Sequence, residues 1–112
     1  MMNNEKRWEE FAMAIVEQAA LDYHQARFFL DTADMRVYTD ESAKLNKIDA
    51  AKRTLVDVET FFKNSWFETL ISDKLNGPKA FEALKNTYEI EVRPARMEKF
   101  LKHISEGGAD ND

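Results

Sequence analysis

The stretch Phe61-Phe62-Lys63-Asn64-Ser65-Trp66-Phe67-Glu68 decides how this chain folds. Four large aromatic residues flank a polar break. Ser65, with Glu68 three residues on, has the form of a capping box, in which each side chain satisfies a backbone N–H of the other residue at a helix start. Asn64 suits the left-handed turn that closes a helix. The stretch predicts that one helix stops here and another begins at once, with rings on both sides of the bend. All four rings cannot point the same way. At least one is expected near the surface, where a large exposed aromatic marks a partner site; Trp66 and Phe67 are the candidates.

Upstream of the break, Leu45, Ile48, Ala51, Leu55, Val58 and Phe62 recur at steps of three and four residues. That is a helical seam suited to packing on another helix, and Thr39 or Asp40 can cap its start. Earlier still, Trp8, Phe11, Ala12, Ile15, Ala19, Tyr23, Ala26 and Leu30 form the stripe of an amphipathic helix from about Asn4 to about Thr32. Residues 33–40 have no period and read as a loop. Downstream, a short helix is expected from Trp66 to about Leu75, with Phe67, Leu70 and Ile71 inward. Asn76-Gly77-Pro78 is a stop and restart, with Pro at a first helical position. Phe81, Leu84 and Tyr88 mark a further helical face. Ile90-Glu91-Val92 is short and β-branched, and Pro94 disfavours helix at Arg93, so a separate last helix is expected from Pro94, carrying Met97, Phe100, Leu101 and Ile104. The fold expected is all-α: two long antiparallel helices closed by about three shorter ones. Residues 1–106 form one domain, and 107–112 a disordered acidic tail.

The 112 residues suit a single domain, and 44% hydrophobic with 33% charged residues is a globular composition. The absence of cysteine removes disulfides, thiolate metal sites and cysteine nucleophiles. No apolar run approaches the roughly 20 residues of a membrane span, and the polar N-terminus does not read as a secretory signal; a cytoplasmic protein is expected. Glycine occurs only at 77, 107 and 108, so no phosphate-binding loop or dinucleotide fingerprint is present. His24 and His103 stand apart and lack the convergent ligands of a metal site. The carboxylates read as a solvated face rather than a catalytic pair. No catalytic residue, metal or cofactor is expected, and an enzyme is the least favoured class.

Charge is the functional signal. Residues 1–42 carry four basic and nine acidic groups, a net −5, whereas residues 43–105 carry twelve basic and nine acidic groups, a net +3. An acidic face fits a basic partner protein, through Glu17, Asp31, Asp34, Asp40 and Glu41 together with Trp66 and Phe67. The opposite reading rests on Arg93, Arg96, Lys99 and Lys102, which recur along the last helix beside Phe100 and could grip nucleic acid. A third reading is a homodimeric structural or assembly protein formed through the seam of the two long helices.

Glu59, Phe61, Phe62, Trp66, Phe67 and Leu70, preceded by Ala14, Ala19, Tyr23 and Ala26 and followed by Leu84, carry a resemblance. The pattern resembles a group of small proteins encoded in phages and prophages of Gram-positive bacteria. The likeness spans about residues 12–86; the segment Asp31–Ser42 and the extension from Glu89 depart from it. The group has no assigned reaction, so it contributes no catalytic residue. It implies a binding protein acting on a host protein in the bacterial cytoplasm, and by analogy of class an inhibitor of the anti-CRISPR kind.

Overall fold

The computed structural model describes residues 4–64, 67 and 76–106, with side chains from Arg7 onward apart from Trp8 and Glu9. The Ser65–Glu68 capping box, the helix expected over 66–75 with Leu70 and Ile71, Trp66, Trp8 and the tail 107–112 lie outside the described residues. Among those described the chain is all-α, with no strand. Helix α1 spans Asn4–Thr32 and α2 spans Glu41–Lys63, joined by a 3-10 turn over Ala33–Met35. Helix α3 (Gly77–Thr87), a π turn (Tyr88–Val92) and α4 (Arg93–Ser105) follow without interruption. The body is elongated, 55 × 27 × 26 Å, and its radius of gyration of 17.4 Å exceeds the roughly 13 Å of a compact domain this long.

The connection between α1 and α2 is made by polar side chains. Thr32 is fully buried. Its hydroxyl donates to the Phe28 carbonyl at 2.9 Å and accepts from Arg36 Nε at 2.8 Å, so a buried polar group is satisfied at both functions. Asp40 then caps α2, its carboxylate accepting from the Ala43 N–H at 2.6 Å. The cap satisfies one of the four amide donors that a helix start leaves orphaned.

The core forms along the predicted stripes, with three differences. Tyr23, Ala26, Ala51, Val58, Phe62, Phe81, Leu84 and Tyr88 are buried. Phe11, expected inward, is 58% exposed, and Ala12 beside it is buried at 2%. The face of α1 at this level is therefore turned by one residue. Leu45, at the start of the α2 seam, is also exposed.

The second difference lies at the aromatic break. Helix α2 does end there, but Asn64 is extended (φ −81°, ψ 147°), not left-handed, and its carbonyl accepts from the Phe67 N–H at 3.0 Å. Phe67 is fully buried, 5.1 Å from the Phe62 ring and 5.5 Å from Phe61. That burial removes it from any contact surface, contrary to its expected role in partner binding.

The third difference is at Pro94. The chain does not leave the helix before it: Arg93 is helical (φ −60°, ψ −48°), and its N–H reaches back five residues to the Tyr88 carbonyl. One wider turn absorbs the crowding that a proline ring imposes on the preceding turn. Helices α3 and α4 are thus two parts of one helical stretch.

Gly77 shows how tightly α3 meets α2. A Cβ at this position would lie 1.9 Å from the Phe62 carbonyl oxygen and 3.2 Å from the Phe67 ring. Glycine is needed here for close approach of two backbones. Asn76 completes the start by capping the Lys79 N–H at 2.9 Å. Gly77→Ala should gain about 1 kcal/mol of helix propensity and lose more to overpacking against a backbone group that cannot rotate away. The expected net destabilisation in urea titration is at least about 1–2 kcal/mol; an unchanged or raised midpoint would show that the junction is looser than described.

Candidate functional site

On α1, Tyr23, Arg27 and Asp31 recur every four residues and so form a row on one face. The π turn and the first residue of α4 set Tyr88, Glu89 and Arg93 against that row. The Tyr88 hydroxyl donates to Asp31 Oδ2 at 2.5 Å, and Arg93 Nε donates to the same oxygen at 3.0 Å. Arg27 forms an ion pair with Glu89, donates to the Tyr23 hydroxyl at 2.7 Å, and stacks 4.7 Å from the centroid of the Tyr88 ring. The π turn widens the backbone at the point where these contacts converge.

The electrostatics follow from this arrangement. Tyr88 is fully buried. Burial first, and then the hydrogen bond to Asp31, push its phenol well above the ordinary value, so it is a fixed proton donor. Burial works against the charge on Arg27, but Tyr23 and Glu89 outweigh it and raise its pKa. The Arg93–Asp31 pair is part-exposed, and such pairs contribute only about 0–1 kcal/mol. The Tyr88–Asp31 bond to a charged acceptor contributes more, about 1.5–3 kcal/mol.

His24 borders the cluster. Its ring stacks on Tyr88 with centroids 6.1 Å apart, and its Nε2 is buried with no hydrogen-bond partner among the described residues. Burial, and then the nearby Arg96 guanidinium, lower its pKa from 6.5.

This geometry redistributes the residues singled out by sequence. Asp31 and Arg93, assigned to rival acidic and basic surfaces, bind each other. Asp31 lies in the last turn of α1, as expected, and Asp40 is occupied as the α2 cap. Glu17, Asp34 and Glu41 are exposed, and so is Glu10; none of the four has an ion-pair partner among the described residues. Arg96, Lys99 and Lys102 likewise have none, and the latter two are exposed. Sequence reasoning missed Arg27, Tyr88 and Glu89 as a polar cluster. The legible signal was the four-residue row Tyr23, Arg27, Asp31, which combines an aromatic and two opposite charges beside the core stripe.

A second feature is the open side of the α1–α2 seam. Asp22, Gln25, Ala26, Ala50, Ala51 and Thr54 line a shallow groove of about 420 Å³. It adjoins a second of about 290 Å³ bounded by Ile15, Gln18, Ala19, Asp22 and Phe61. Asp22 is common to both and accepts from Gln18 Nε2 at 2.9 Å. No group of three or more His, Asp or Glu residues placed to hold a metal ion occurs among the described residues. No helix among them is long and apolar enough to cross a membrane.

Two outcomes are expected. Tyr88→Phe and Asp31→Ala should each destabilise the chain by about 1–3 kcal/mol. The double variant should cost less than the sum of the two, by about 1 kcal/mol in a denaturation cycle; additive losses would deny the bond its role. For His24, a lowered folded pKa means that the unfolded chain takes up a proton which the folded chain resists. That contribution to stability is intact above the unfolded value of 6.5 and is lost as pH falls through the lowered folded value. In thermal melts from neutral to mildly acidic pH the stability of wild type should therefore fall relative to that of His24→Gln; a constant difference would contradict the assignment.

No protein-family model, curated protein or solved structure matches this chain.

Proposed function

We propose that this protein is a non-catalytic binding module, phage-associated, that engages a basic surface of a host protein and inhibits it. The supporting observation is the set of carboxylates left over after the fold has used its own. Glu10, Glu17, Asp34 and Glu41 are exposed and form no ion pair among the described residues. They belong to the first 42 residues of the chain, which carry a net −5. Unpaired charges of one sign steer a complementary partner and select against like-charged ones. The analogy to phage inhibitors of the anti-CRISPR class, and the bacterial cytoplasm as the place of action, belong to this reading.

We read α1 and α2 as antiparallel. Phe61, near the end of α2, shares a groove with Ile15 and Ala19 in the first half of α1. Ala50 and Ala51, earlier in α2, share one with Gln25 and Ala26, later in α1. Reversed order in paired contacts is what opposite directions require.

A nucleic-acid-binding reading is supported by Arg96, Lys99 and Lys102 on α4, which form no ion pair among the described residues. It has lost Arg93, which is held by Asp31. The homodimer reading through the α1–α2 seam is weakened, because Ala26, Ala51 and Val58 of that seam are buried within one chain.

The test uses two charge-reversal sets against proteins captured from a Gram-positive host lysate and against duplex DNA, at low and high ionic strength. Glu10, Glu17, Asp34 and Glu41 changed to Lys should abolish capture of the host protein while the thermal midpoint stays within a few degrees. Capture by the wild type should weaken as salt rises. If Arg96, Lys99 and Lys102 changed to Glu abolishes binding instead, and DNA is retained by the wild type, the nucleic-acid reading replaces this one.

A further inference from the structure

The two parts of the last helical stretch are held very differently. Phe81, Leu84 and Tyr88 are buried and anchor α3 and the start of the π turn to α1 and α2. Helix α4 contains no buried residue. Beyond the π turn it is attached to the body by the Arg93–Asp31 ion pair and by Phe100. The Phe100 ring packs edge-on to Phe28 at 5.8 Å and lies under the Arg36 guanidinium at 5.1 Å. Met97, like Val92 of the π turn, packs half-buried against the same core.

The backbone between the two parts is also the weakest in the stretch. The Arg93 N–H bonds five residues back instead of four, and Pro94 has no N–H to continue the ladder. A π turn followed by a missing donor concentrates bending at one point. Sparse burial beyond such a point is the pattern of a segment that opens on its own, at a free energy below that of global unfolding.

We propose that α4 is a hinged arm. The π turn over Tyr88–Val92 is its pivot, and the carboxylate of Asp31 is its latch. Asp31 holds both sides of the pivot through one oxygen: the Tyr88 hydroxyl before it and Arg93 after it. Opening leaves Tyr88 in the core. It frees Arg93 to join Arg96, Lys99 and Lys102, and it uncovers Phe28 and the inner face of Phe100. The closed arm therefore keeps Arg93 paired and an aromatic pair covered, and the open arm presents them together.

Amide hydrogen exchange on the full chain, read segment by segment by mass spectrometry, tests this. In the wild type, amides of 93–105 should exchange together and faster than those of 77–87. Asp31→Asn should raise the rate in 93–105 by roughly tenfold, as expected for loss of a charge-assisted bond, and leave 41–63 unchanged. Pro94→Ala, which restores the missing donor, should slow exchange in 93–105 without affecting α2. An equal rise across all helices in Asp31→Asn would overturn the latch. Exchange in 93–105 no faster than in 77–87, or no slowing in Pro94→Ala, would overturn the hinge.

Discussion

The packing of Phe62 is the contact on which the rest of the structure depends. Its ring lies 5.1 Å from Phe67, 5.4 Å from Phe61 and 5.9 Å from Phe81, and its carbonyl lies against Gly77. One residue thus joins the end of α2 to the start of α3. Tilted and edge-on ring pairs of this kind contribute about 0.5–1.5 kcal/mol each beyond the area they bury. Position also matters. With α3 brought against α2 here, Phe81 reaches Tyr23 at 5.6 Å, and every later residue of the stretch acquires its level along α1.

That level decides the polar chemistry. Tyr88 arrives about two helical turns beyond Phe81, opposite His24, Arg27 and Asp31. A buried phenol needs an acceptor, and a part-buried carboxylate needs donors. The π turn satisfies both while passing Pro94 along without breaking the helix. An unusual backbone feature and an unusual polar cluster therefore have one cause. The same cause explains why α3 is firmly held and α4 lightly, because the fully buried apolar anchors end at Tyr88 and α4 adds only half-buried ones.

For function, the main consequence is subtraction. Charges read along a sequence count every acid and base as available. In the folded chain Asp31, Asp40, Glu89, Arg27 and Arg93 are engaged with one another or with backbone amides, and what remains for a partner is a smaller set. Of the residues in the two candidate surfaces, Glu10, Glu17, Asp34 and Glu41 remain on the acidic side, and Arg96, Lys99 and Lys102 on the basic side. The Asp31–Arg93 pair removes one residue from each set.

The sequence by itself determined most of what depends on near neighbours. The limits of α1, the Asp40 cap, the end of α2 at the aromatic break and the inward faces at Tyr23, Phe62, Phe81 and Tyr88 follow from periods of three and four residues and from capping chemistry. These act within one or two turns and are legible in any window of that length. Only the tertiary structure decided that Phe11 faces outward, that Phe67 is wholly buried, that Pro94 is bridged by a π turn, and that Asp31 binds Tyr88 and Arg93. Those partners lie 57 and 62 residues apart. Their meeting depends on the level at which the last stretch docks along α1, which is set by the contact of Phe62 with Gly77 and Phe81 and not by any local pattern. A carboxylate on a helix has the same local signature whether it faces solvent or a tyrosine from another helix.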